Sequence, residues 1–194
     1  MLGVILCGGQ SSRMGTDKGL LKLEAKTWAQ TAFDKLAELN FPITISVNEK
    51  QHNDYAAVFT STELITDDPA LTIHGPLSGV LSVHLHHPAE DLLILACDMP
   101  LMEAELLKEL LTHYQQHTSN DAFVYTNDGE PEPLCGIYKA SGLAYIHHLY
   151  RSQQLPKHSM KFMLEHIYTR FIALPDEKKK CFRNFNAHAE LNGL

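Results

Sequence analysis

The chain has 194 residues, of which 44% are hydrophobic, and 16 Lys and Arg stand against 23 Asp and Glu for a net charge of −7. That balance excludes a broad basic surface of the kind that holds nucleic acid by its phosphates, and the length suits one α/β domain rather than two of equal size. Cys7, Cys97, Cys135 and Cys181 lie far apart with no C-x-x-C pair, which speaks for reduced thiols rather than a disulfide framework or a zinc site. No apolar stretch approaches the ~18 residues of a membrane span, and no basic run precedes the short apolar N-terminus. The expectation is a soluble, cytoplasmic protein with no membrane and no nucleic-acid partner.

Taken in order, residues 2–6 are an apolar run of strand length that ends abruptly in Gly8-Gly9. Two adjacent glycines let the backbone approach a ligand closely, and Ser11, Ser12, Arg13 and Lys18 add hydroxyls and cations, a set suited to phosphates. Neither G-x-x-x-x-G-K-[ST] nor G-x-G-x-x-G is present, which removes the P-loop and simple dinucleotide readings. A strand-to-helix turn that merely needs glycines would not require that density of donors. The whole stretch, L-C-G-G-Q-S-S-R-M-G-T-D-K-G-L-L, resembles the signature of the molybdenum cofactor guanylyltransferases, nucleotidyltransferases of the nucleotide-diphospho-sugar transferase (GT-A) type. It departs from that signature in carrying Cys7 where the family usually has alanine. The resemblance implies Leu6, Cys7, Gly8, Gly9, Ser11 and Lys18 as nucleotide-binding residues and Arg13 and Lys18 as catalytic cations.

Thr27 can cap a helix in which Trp28, Ala32, Phe33, Leu36 and Leu39 recur at helical spacing, and residues 43–47 then read as a strand. Asn48 follows it, where ligands of open parallel sheets sit; it is either a turn residue or, as the resemblance implies, a nucleotide contact. Residues 63–66 form a third strand ending in Asp67 and Asp68, of which the resemblance implies that one meets the nucleotide, with Asp67 favoured as the first after the apolar pair. Gly75-Pro76 open a helix with Leu77, Val80, Leu81 and Leu85 on its inner face, and G-P-L-S-G resembles the family's G-P-L-x-G, which implies Gly79 as a nucleotide contact. His84, His86 and His87 near the end of that helix read as a solvated helix end rather than a metal site, since only 84 and 87 share a face.

Residues 91–101 are a nearly continuous apolar run, as expected of a central parallel strand, ending at Asp98 with Pro100 beyond. A carboxylate there can hold a divalent cation against nucleotide phosphates. Asp98 could instead cap the helix expected from Met102 with Leu106, Leu107, Leu110, Leu111 and Tyr114. C-D-M-P resembles the family's C-D-x-P, which implies Asp98 as a catalytic, nucleotide-binding and metal-binding residue, with Mg²⁺ as cofactor and Mn²⁺ as a substitute. Residues 122–125 and 132–138 read as two strands joined by a hairpin-like turn. Helical spacing resumes from Ala140 and again from Lys157, and residues 170–174 suggest a last strand. Lys157 and Lys161 are surface residues that could also meet a pterin phosphate, and Lys178 to Lys180 read as a solvated turn. The closing F-R-N-F-N-A-H-A-E-L resembles the family's F-x-N-x-N-T-P-x-D-L, departing at Ala187-His188. Asn184 and Asn186, spaced by two, would point the same way as pterin-binding residues, or Asn186 would cap a helix.

Together these predict a single domain over residues 1–194: a three-layer α/β/α fold with a mostly parallel sheet and a small mixed β extension. The resemblance implies transfer of GMP from GTP to molybdenum-loaded molybdopterin with release of pyrophosphate. It allows further partners among molybdopterin-delivering and molybdoenzyme-accepting proteins. Gly8-Gly9 goes with guanine in that family and Ala-Gly with cytosine. The alternatives are a cytidylyltransferase on the same pterin, a sugar-phosphate nucleotidyltransferase, or a GTP-binding carrier without catalysis.

Overall fold

The computed structural model of the chain describes residues 1–8, 17–23, 25–60, 62–183 and 185. Strand β1 (Leu2–Leu6) and, after a 3₁₀ turn at Lys18–Leu20, a two-strand ladder of β2 (Lys22–Leu23) and β3 (Lys26–Thr27) lead into helix α1 (Trp28–Ala37). There follow β4 (Ile43–Val47), α2 (His52–Val58), β5 (Glu63–Thr66), α3 (Pro76–His86), β6 (Leu92–Ala96) and α4 (Ala104–Gln116). The hairpin β7 (Ala122–Asn127) and β8 (Glu130–Tyr138), helices α5 (Ala140–Arg151) and α6 (Met160–Leu164), β9 (Thr169–Ala173) and a 3₁₀ segment at Asp176–Phe182 complete the series.

Seven strands form one sheet in the order β5-β4-β1-β6-β8-β7-β9. Only β8 runs against its neighbours β6 and β7; the other pairings are parallel. The sheet is therefore mostly parallel, and the mixed extension is its β8-β7-β9 end. Every residue of β1 and β6 is buried, because helices cover both faces. Strand alternation sends Ile5, Leu93 and Leu95 to a core with α1, α2 and α4, and Val4, Leu6, Leu92 and Ile94 to a second core with α3, α5 and α6. These are the three expected layers. Among the described residues no helix is long and apolar enough to cross a membrane.

Local differences from the sequence reading have local causes. Helix α2 was not anticipated, because its short polar start His52-Asn53-Asp54 hides one inward residue, Tyr55. Helix α4 begins at Ala104, not Met102, with Glu103 at the N-cap position, so Asp98 is not a helix cap. The helix expected from Lys157 starts only at Met160, where Ser159 Oγ accepts from the Phe162 amide at 3.2 Å. The three histidines are not simply a solvated helix end. His84 is buried, and burial with neighbouring His147 holds its imidazole below the ordinary range. His86 Nδ1 lies 2.9 Å from Ser82 O, and His87 Nε2 lies 2.8 Å from Glu63 Oε2. Lys178 and Lys179 are ion-paired to Glu103 and Asp128 rather than merely solvated.

Helix α1 shows how directly some of this follows from sequence. Thr27 Oγ1 accepts from the Gln30 amide at 3.1 Å while Gln30 Oε1 accepts from the Thr27 amide at 2.8 Å, a reciprocal capping box. Thr27→Ala is expected to cost about 1 kcal/mol of stability, read as a lower urea midpoint with an unchanged slope.

Candidate active site

Because β5, β4, β1 and β6 are parallel, the residues after each of them arrive at one edge of the sheet: Asp67 after β5, Asn48 after β4, Cys7-Gly8 after β1 and Asp98 after β6. A cleft of about 610 Å³ opens beyond β1, β4 and β5, with Leu6, Gly8, Ser46, Asn48, Asp67 and Gly79 in its wall and Lys50 and His74 beside them. Five of these six wall residues are ones the sequence singles out. The first turn of α3 closes the side of the cleft. A Cβ on Gly79 would stand 2.5 Å from Ser46 Oγ and 3.6 Å from Asp67 Oδ1, so only glycine lets the helix come this near. Gly75, at φ +82°, and Pro76 start α3 without a side-chain cap, which leaves the positive end of the helix at the cleft.

The two adjacent carboxylates have separate surroundings. Asp67 continues the ladder through its amide to Val47 O at 3.1 Å, and its Oδ1 is buried with no partner among the described residues. Burial pushes its carboxyl up. Asp68 is outside the cleft wall: its amide donates to Ser82 Oγ at 2.7 Å, and its Oδ1 accepts from the Ala70 amide at 2.8 Å in an Asx turn. Asn48 is a turn residue that also lines the cleft. Its Oδ1 accepts from the Gln51 amide at 3.1 Å and its own amide donates to Gln51 Oε1 at 2.9 Å, which leaves Nδ2 for the cleft.

Asp17, Lys18 and Gly19 form a clasp beside it. Asp17 Oδ1 accepts from the Gly19 amide at 2.9 Å and from Tyr55 Oη at 2.8 Å, while Oδ2 accepts from Gln51 Nε2. The same Nε2 reaches Cys7 O at 3.0 Å. A Cβ on Gly19 would overlap Tyr55 Oη and stand 3.1 Å from Cys97 Sγ, so a larger residue would break the clasp. The Tyr55 phenol is pushed far up, by burial first and then by Cys7, Cys97 and Asp17, so it remains a neutral donor. Gln51 and Tyr55 were missed by the sequence reading; their spacing of four on one helical turn is the only local signal.

Asp98 stands over the end of β6 with Oδ1 buried and without a partner among the described residues. Burial raises its carboxyl and wins over the Lys18 charge, which pulls it down. The segment after it is pinned from both sides: Lys35 Nζ donates to Pro100 O at 2.5 Å, and the Phe185 amide donates to Asp98 O at 3.1 Å. Phe185 is buried edge-on against Trp28 at 6.4 Å. Cys7 and Cys97 adjoin on neighbouring strands; both are free and buried, and the Cys97 thiol is pushed well up, first by its contact with Cys7. Gly9, Ser11, Arg13, Asn184 and Asn186, with Ser12, lie outside the described residues. Lys161 is paired with Glu130 at 2.7 Å and Lys157 lies over the Phe162 ring, as surface residues do.

Residues 3–169 match the MobA-like NTP transferase domain. A probable molybdenum cofactor guanylyltransferase of Geobacillus sp. (strain WCH70) is 30% identical over 196 residues, covering 100% of this chain and 97% of its own. One of Flavobacterium johnsoniae is 29% identical over 191 residues, covering 98% of this chain and 94% of its own. The crystal structure of molybdopterin-guanine dinucleotide biosynthesis protein A from Archaeoglobus fulgidus superposes with a TM-score of 0.79 at 20% identity, covering 100% of this chain and 96% of that one, which is a likeness of fold. With the domain matched over most of its length, the chain belongs to the MobA-like NTP transferase family.

Proposed function

We propose that the protein transfers the GMP moiety of GTP to molybdopterin carrying molybdenum, forming the guanine dinucleotide form of the cofactor and releasing pyrophosphate. The observation that carries this reading is the meeting of Leu6, Gly8, Asn48, Asp67 and Gly79 around one cleft, next to the Lys18 and Asp98 pair. The names of its relatives, molybdenum cofactor guanylyltransferases, point to the same substrates. In this reading base and ribose occupy the cleft and the phosphates run toward Lys18.

An oxygen of the terminal phosphate of molybdopterin attacks the α-phosphorus of GTP in line, a new P–O bond forms, and the bond from the α-phosphorus to the bridging oxygen breaks as pyrophosphate leaves. No covalent enzyme intermediate is needed. Lys18, with Arg13, stabilises the charge that gathers on pyrophosphate, and the clasp at Asp17 fixes where Lys18 stands. The orphaned buried Oδ1 of Asp98 suits a divalent cation, Mg²⁺ or Mn²⁺, which when bound neutralises phosphate charge. Mg²⁺ is usually held by one or two carboxylates together with water and substrate phosphate oxygens, a role that Asp98 would fill here.

With Mg²⁺, GTP and molybdenum-loaded molybdopterin, the purified protein is expected to release pyrophosphate, and Lys18→Ala and Asp98→Ala are each expected to keep the fold and lose ~100-fold or more in turnover. Release with CTP alone would reassign the base. Tight GTP binding without pyrophosphate release would leave a carrier. A second expectation concerns stability. Burial raises the Asp67 carboxyl, so the fold favours its neutral form, and this group opposes folding increasingly as pH rises from the ordinary carboxylate range through the raised value. Asp67→Asn is therefore expected to melt higher than wild type at neutral pH, to lose that advantage in acid, and to bind GTP less well.

A further inference from the structure

On the face of the sheet that packs under α3, strand β1 presents Leu2, Val4 and Leu6 and strand β6 presents Leu92 and Ile94, all apolar. Strand β4 breaks this rule. Its residues on that face are Thr44 and Ser46, both buried, while Ile45 and Val47 face the other core. Thr44 Oγ1 has a local reason, since it donates to Glu63 O at 2.9 Å. Ser46 Oγ has no partner among the described residues, although the side chain is 1% exposed. A buried hydroxyl without a partner is a cost that a folded chain ordinarily avoids, and alanine would fill the same space without it.

The place of this hydroxyl suggests its use. Ser46 lines the cleft, and both its Oγ, buried just behind that lining, and the Asp67 Oδ1 lie within 4 Å of the position a Cβ on Gly79 would occupy, at 2.5 and 3.6 Å. Two oxygens without partners among the described residues thus lie close together where α3 approaches the sheet. A carboxylate oxygen only accepts, and a hydroxyl can accept as readily as donate, so the pair suits a ligand edge with two adjacent N–H donors. Among nucleobases guanine has such an edge, in its N1–H and 2-amino groups, whereas cytosine and adenine place an acceptor beside their single amino group.

We propose that Ser46 is a base-reading residue, whose hydroxyl accepts from the 2-amino group of guanine beside Asp67. This rests on the reading of the cleft as a nucleotide site. The test is calorimetric titration of wild type and Ser46→Ala with GTP and with ITP, whose base lacks the 2-amino group, in the presence of Mg²⁺. Wild type is expected to prefer GTP to ITP, and Ser46→Ala to weaken GTP about five- to tenfold, leave ITP unchanged and melt no lower than wild type. Equal GTP affinity in the two proteins, or equal weakening of both nucleotides, would overturn the assignment. So would a wild type that binds GTP and ITP alike, a measurement independent of how the variant folds. A wild type that binds neither would sink the nucleotide-site reading itself.

Discussion

The carboxylate of Asp17 is the contact on which the site depends. It receives three donors, the Gly19 amide two residues on and the Tyr55 hydroxyl and Gln51 amide group from one turn at the start of α2. Gln51 passes the constraint on, to the carbonyl of Cys7 at the end of β1 and to Asn48 at the end of β4. One side chain therefore joins the start of the 3₁₀ turn to two of the strand ends that line the cleft. A buried phenol that stays neutral is a dependable donor. The result is a held backbone on both sides of Lys18, whose charge pulls the Asp98 carboxyl down against the effect of burial.

The sheet gives this clasp its geometry. From β5 to β6 all strands point the same way, and the first reversal comes at β8. Between Val124 and Tyr125 of β7 the partner on β8 moves from Gly136 to Glu132, so residues 133–135 bulge out, while Cys135 still pairs with Leu95 of β6. The Tyr138 hydroxyl secures the bulge by donating to Pro133 O at 2.7 Å. Bulges re-aim a strand and end its regular pairing, and this one does so beside the strand that carries Asp98. The cleft lies over β1, β4 and β5, on the other side of β6 from this bulge.

Much of this was legible in sequence because loops that hold phosphates demand particular residue types at particular places. Gly8, Asn48, Asp67, Gly75-Pro76 and Gly79 stand after strands or in the first turn of a helix and line one cleft. What was not legible depends on packing between distant parts. Tyr55 reads as an ordinary core aromatic, and nothing local says that it meets a carboxylate 38 positions earlier. The alternation I-T-I-S-V in β4 reads as a strand with one wet face, yet α3 covers that face and turns Ser46 into a buried hydroxyl. Nor does anything local separate Asp67 from Asp68: Ser82 of α3 accepts from the Asp68 amide, and the Asp68 carboxylate turns to the Ala70 amide, outside the cleft wall.

Three of the buried oxygens without partners among the described residues, on Ser46, Asp67 and Asp98, belong to residues within or just after β4, β5 and β6, at one edge of the sheet. Each such group opposes folding by about 1–3 kcal/mol, so their concentration at one edge is hard to explain as packing. Two apolar cores on either face of the sheet can bear that cost. A ligand that brings donors to Ser46 and Asp67, and a cation to Asp98, would relieve all three at once. Binding then draws on free energy that folding left unspent, at groups whose positions are already set by β4, the turn after β5 and the segment that Lys35 and Phe185 hold behind Asp98.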